Sequence, residues 1–183
     1  MLKSYFLLFT LLFCIPTCWA DGLTKEQAEN LELAGVKLGI TEPELVELLK
    51  NKYHLSENDF TVNEQQMALP PTKIDGKSIT TCTIKIYEVV LNTNHPEETL
   101  TIQLKDDITH NPPQKMVVYS IYHTMPYTVE SAQKVYKELT KKYGKEETTN
   151  FFGIKVWRYN SYHLGLSPET EGKFYVSIRS NGL

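Results

Sequence analysis

The chain has 183 residues, 41% of them hydrophobic, and a formal net charge of −3 from 19 Lys and Arg against 22 Asp and Glu. That length can bury a core without covalent staples. The mild acidity excludes nucleic acid as a default partner, because phosphate binding needs a concentrated basic surface.

The N-terminus reads Met1-Leu2-Lys3, an apolar run from Tyr5 to Ile15, and Pro16-Thr17-Cys18-Trp19-Ala20 ahead of Asp21-Gly22. A positive start, a short apolar core and small residues at Cys18 and Ala20 predict a secretory signal peptide over 1–20, cut after Ala20. The run is too short for an uncleaved anchor, which takes ~20 residues. Lipidation at Cys18 is the other alternative, and Pro16 and Thr17 fit that motif poorly. Cleavage removes Cys14 and Cys18, so Cys82 is left alone and no intramolecular disulfide is expected. No Asn-x-Ser/Thr sequon occurs either, and the two absences favour a bacterial periplasm or cell exterior over a eukaryotic secretory route. No later apolar run is long enough to span a membrane, so no transmembrane segment is expected after the leader.

Thr24 and Gln27 form a capping box, and Ala28, Leu31 and Ala34 recur at helical spacing before Gly35, predicting a short first helix that this glycine ends. Thr41 and Glu44 make a second box with Pro43 in the first turn. Leu45, Leu48, Leu49 and Tyr53 then form an apolar stripe, predicting a helix over 42–53. Period-two alternation follows. It gives a short strand at Phe60-Thr61-Val62, a break at Pro70-Pro71, a turn at Asp75-Gly76 and a long strand from Ser78 to Leu91. Cys82, Ile84, Ile86 and Val90 fall on one face of that strand; Thr83, Lys85, Tyr87 and Val89 fall on the other. A turn at Asn92–Pro96 leads to a strand over Thr99–Lys105, and a loop at Asn111-Pro112-Pro113 leads to one over Lys115–His123. Thr128 caps a second strong helix over Val129–Tyr143, with Ala132, Val135, Tyr136, Leu139 and Tyr143 as its buried stripe and Gly144 as its stop. Two last strands, near Phe152–Tyr159 and Lys173–Arg179, are joined by a loop holding Gly165, Pro168 and Gly172. Helices and strands come in blocks, which predicts an α+β fold: an antiparallel sheet of about five to six strands with two main amphipathic helices packed on it. No linker divides the chain, so residues 21–183 are expected to be a single α+β domain.

The stretch Gly39-Ile40-Thr41-Glu42-Pro43-Glu44-Leu45-Val46-Glu47-Leu48-Leu49 resembles the start of the first helix in BamE/SmpA-like domains and the tandem domains of β-lactamase-inhibitor proteins. Lys142-Tyr143-Gly144 resembles the helix ending of many exported proteins of that general kind. The match covers about a dozen residues. The Gly-x-Pro that often closes the first helix of BamE-like domains is absent after Tyr53. The resemblance implies a helices-on-sheet fold and a role in binding other proteins, and it carries over no functional residue.

Candidate chemistry is sparse. Cys82 shares a strand face with Ile84 and Ile86, where a cysteine packs as a small apolar group rather than serving as a nucleophile. The histidines His54, His95, His110, His123 and His163 lack metal-site spacing, and the acidic pairs Glu97-Glu98, Asp106-Asp107 and Glu146-Glu147 lack a calcium-loop pattern. No phosphate loop, nucleophile elbow or Ser-x-x-Lys is present, so no catalytic residue, metal or cofactor is assigned. The remaining signal is aromatic and basic: Lys155, Trp157 and Tyr159 alternate on one strand, Tyr175, Ser177 and Arg179 on the last, and Lys85 and Tyr87 on the long one. If those faces align, Lys85, Tyr87, Trp157, Tyr159, Tyr175 and Arg179 form a binding surface. The alternative is that a helix covers them as a second packing layer. The expectation is a non-enzymatic exported module that binds another envelope or extracellular protein. The alternatives are a small hydrolase with a loop-built site and, from the resemblance alone, a secreted protein inhibitor.

Overall fold

The computed structural model describes residues 22–56, 59–74, 77–91, 96–106 and 116–181. The expected leader over 1–20, the turns at Asp75-Gly76, Asn92–His95 and Asn111-Pro112-Pro113, and His110 lie outside the described residues. The elements run α1 Lys25–Glu29, β1 Glu32–Leu33, β2 Val36–Lys37, α2 Glu42–Tyr53, β3 Phe60–Ile74, β4 Lys77–Val90, β5 Thr99–Asp106 and β6 Met116–Pro126. They continue with α3 Val129–Tyr143, β7 Thr148–Thr149, β8 Lys155–Tyr159, β9 Tyr162–Leu166 and β10 Lys173–Ser180.

The expected α+β fold with five to six strands is corrected. The chain is mostly β, with eight antiparallel strands in the order β3-β4-β5-β6-β10-β9-β8-β7 and a separate β1-β2 ribbon. The extra strands come from places where local signals pointed elsewhere. The first helix stops at Glu29 with Asn30 as its C-cap. Ala34 and Gly35, at φ 52° and 75°, instead make the two-residue turn of the β1-β2 ribbon, because a tight hairpin needs positive φ at both central positions. Pro70-Pro71 does not end β3. Pairing with β4 shifts register between Ala68 and Thr72 and then resumes, as an edge strand allows where its outward N–H groups are not needed. Tyr162–Leu166 is a strand rather than part of a loop.

The two long helices form where their caps predict. Glu44 accepts a hydrogen bond from the Thr41 backbone at 2.7 Å, and Thr128 accepts one from Ser131 at 2.9 Å. Both long helices lie on one face of the sheet. Leu45 and Leu49 of α2 and Tyr143 of α3 share a core with Tyr87, Val89, Leu100, Ile102, Leu104, Val118, Ile121, Trp157, Leu164, Phe174, Val176 and Ile178. Ala132, Val135, Tyr136 and Leu139 of α3 pack against it. The segment before α2 is stitched to the same sheet: Gly39 donates to the Val118 carbonyl and Val118 donates to that of Ile40. No described helix is long and apolar enough to cross a membrane.

Candidate functional site

Antiparallel register decides which side chains meet, since residues opposite one another point to the same face. Lys85, Tyr87, Trp157 and Tyr159 belong to the helix-covered face. Trp157 is fully buried and its indole N–H donates to the Gly144 carbonyl at 2.9 Å. Tyr87 is also buried, and its hydroxyl donates to Glu42 at 2.7 Å, beside the Lys85–Glu42 ion pair at 2.9 Å. That hydrogen bond to Glu42 holds Lys85 above the usual lysine range. Tyr159 packs against the core. Tyr175 and Arg179 point the other way, since their register partners are Thr124 and Ser120 on β6 rather than the core residues between them. The six residues therefore do not make one surface: four lie under or beside the helices, and two lie on the face the helices leave open.

Tyr175 and Arg179 stand at a pocket of about 160 Å³ on that open face, lined by Tyr122, Asn150, Ile154, Val156, His163, Leu164, Gly165, Ser177 and these two residues. One cross-strand row runs Tyr122–Ser177–Gly165–Val156 through β6, β10, β9 and β8 and makes the floor. Gly165 is needed there: a Cβ would lie 2.9 Å from Ser177 Oγ and 3.5 Å from Ile154 Cγ2, so any larger residue fills the hollow. The Tyr122 and Tyr175 rings meet edge to face at 5.9 Å and form one wall. The opposite rim is the β7-β8 turn, where Asn150 Oδ1 accepts from the backbone N–H groups of Phe152 and Ile154 at 3.0 Å each. With that oxygen occupied, the Asn150 amino group is left as a donor.

The adjacent row carries Arg179 on β10, His163 on β9 and Arg158 on β8, each directly opposite the next. Burial lowers the His163 pKa from its ordinary 6.5; Arg179 and Arg158 push it further down, against a smaller pull from Glu147. Among the described residues neither arginine forms an ion pair. On the other half of the open face a bulge at Tyr119 turns this side chain outward, where its hydroxyl donates to Gln103 at 3.0 Å and Lys105 sits over its ring.

Other candidates fall elsewhere. Cys82 is 4% exposed, and burial, with Asp106 adding, raises its thiol pKa. Both effects oppose formation of the nucleophilic thiolate. His123 contacts Glu98 at 3.1 Å on the helix-covered face, and neither residue lines the open-face pocket. Glu146, paired with Lys155 at 2.9 Å, also accepts from the Tyr136 hydroxyl. No group of three or more metal-ligating side chains occurs among the described residues. Phe151 and Phe152, 98% and 75% exposed, project from the β7-β8 turn beside a hollow lined by Tyr127, Val129 and Pro168.

Tyr122, Asn150, His163 and Arg158 were not singled out as binding residues from the sequence. The signal was present in β8 and β10: Arg158 lies between two core aromatics, and so faces away from them. Pairing across four strands, invisible locally, brings it to His163 and Arg179. No protein-family model, curated protein or solved structure matches this chain.

Proposed function

We propose that this chain is a non-enzymatic binding module, exported by its N-terminal leader to the bacterial envelope or extracellular space, which holds its partner on the open face of the sheet. The observation that carries the proposal is the asymmetry of the sheet. Helices cover one face, whereas the other presents a concave, aromatic-walled pocket with hydrogen-bond donors that have no partner among the described residues, a composition suited to recognition. The expected partner is another exported macromolecule.

Capture from the native source tests it, with wild-type protein as bait beside Gly165→Val and Tyr175→Ala, which alter the open face, and Lys137→Ala on exposed α3 as control. Capture lost in both face variants and kept in the control supports the proposal; equal capture by all four overturns it. Intact mass of the isolated protein tests export, expected to show loss of residues 1–20.

A hydrolase is the second reading, favoured by the His123–Glu98 contact at 3.1 Å, since a carboxylate orients an imidazole for proton transfer. That pair is remote from the pocket. Turnover of a generic ester abolished by His123→Gln would support the hydrolase.

A further inference from the structure

We infer that the open-face pocket binds an oxyanion group, a carboxylate or a phosphate, with Arg179 as its principal contact and Arg158 and His163 completing the charge. This rests on the open face being the binding surface and adds the class of ligand.

The sheet register carries the inference. Arg179, His163 and Arg158 occupy directly opposite positions on three consecutive strands. Neighbours so placed lie ~5 Å apart at Cβ, so the two arginines flank His163, one on each side and about 10 Å from each other. Their guanidinium groups keep their charge at any working pH. Ion pairing within the chain does not neutralise that charge: among the described residues no carboxylate bonds to either arginine. Glu147 alone is felt at His163, and only weakly.

The pocket lining agrees. In a chain with more acidic than basic residues, none of its ten lining residues is acidic. What lines it instead are donors: the Arg179 guanidinium, the Asn150 amino group, and the hydroxyls of Ser177, Tyr122 and Tyr175, the two tyrosine hydroxyls having no partner within the described residues. Arginine presents paired N–H groups that match the two oxygens of a carboxylate or phosphate. The Tyr122 and Tyr175 rings offer apolar surface for whatever carries the group, and the Gly165 floor sets how deeply it enters.

Protonation of His163 would be favoured by the bound anion, which offsets Arg179 and Arg158 on either side and joins Glu147 in attracting a proton. Binding should therefore take up a proton and tighten as pH falls from the raised His163 pKa of the complex toward the lowered one of the free protein.

The test titrates purified leader-free protein with three probes of one shape: glucuronate, glucose 6-phosphate and neutral glucose. Affinity is read by calorimetry and the His163 ring by NMR. The expected result is millimolar or tighter binding of at least one anion, a rise in the His163 pKa on its addition, and no effect of glucose. Arg179→Gln should weaken anion binding about tenfold or more, as loss of a charged hydrogen bond does. Gly165→Val should abolish it. Should a variant fail to fold, the His163 titration in wild-type protein still decides the matter. Equal binding of glucose, or an unshifted His163 with both anions, overturns the oxyanion assignment. If capture in the native-source experiment is nevertheless lost in Gly165→Val, the open face stands and only the ligand class is wrong. Competition of that capture by glucuronate or glucose 6-phosphate places the oxyanion on the captured partner; capture that is unaffected, with the probe still bound, identifies a free small molecule.

Discussion

His163 sits between two permanent cations and is half-buried, and the sign of its effect on stability follows from that. Its folded pKa is below the ordinary 6.5, so above pH 6.5 both folded and unfolded chains leave it neutral and its full contribution is present. As pH falls below 6.5 the unfolded chain takes up a proton that the folded one resists, and stability is lost. His163→Gln should flatten the decline of urea-unfolding stability as pH falls below 6.5; a variant with the wild-type slope would show that burial and the two arginines exert no net effect there. Trp157 illustrates the opposite environment. Buried completely, with its N–H bonded to Gly144, it should cost roughly 3–5 kcal/mol when changed to Ala. Chemical denaturation measures this, and a loss under about 1 kcal/mol would place the indole at the surface.

At the scale of elements, α3 is held to the sheet by more than its apolar stripe. Glu146, just beyond the helix, accepts from Lys155 of β8 and from Tyr136 of α3, both at 2.9 Å, and Lys155 lies over the Tyr136 ring. Burial works to raise the Glu146 carboxyl, but these bonds together with one to its own backbone outweigh it, and the net pKa is lowered. Glu146→Gln keeps the shape and removes the charge, and should cost about 1–3 kcal/mol at neutral pH. The difference from wild type should shrink as pH falls from 4.5, where the unfolded chain begins to take up the proton, through the lower folded pKa, where the native carboxyl is protonated too. A pH-independent difference would mean that packing rather than charge holds α3. Elements like α3 were legible in the sequence because capping boxes and apolar stripes are local: α2 and α3 run over the residues their patterns predict. The strand β9 was not, because Gly165 reads as a loop signal when its real cause is Ser177, a residue twelve positions away that takes the space a Cβ would need. β3 was cut short for a similar reason, since whether Pro70-Pro71 breaks a strand depends on whether a neighbour needs the N–H groups they lack.

For the whole molecule, what sequence periodicity left open was which of two alternating faces would be covered. Alternation separated Trp157 from Arg158 and Ile178 from Arg179, but only the strand order put these residues in register, splitting the expected aromatic surface between core and open face. The same order sets the distribution of stability. β6 and β10 are central strands, each bonded on both sides and contributing Val118, Ile121, Val176 and Ile178 to the core. β3 is an edge whose side chains from Thr61 to Ala68 are all exposed, and its pairing with β4 continues beyond Ile84, where β5 no longer accompanies them. Opening free energy tracks buried apolar contact and flanking pairing. Amides of Ile121 and Ile178 should therefore exchange with deuterium only through global unfolding. Those of β3 that face β4 should exchange at least about a hundredfold faster, as an opening cheaper by roughly 3 kcal/mol requires. Dilution sharpens the test. An edge this long, unpaired among the described residues, is a template for another strand, so protection of Thr61–Ala68 that matches β6 at high concentration and fades on dilution would mean that a second chain completes the sheet there. Protection equal to β6 at every concentration would show that the edge is not open, and would overturn the assignment of β3 as less stable than the centre of the sheet.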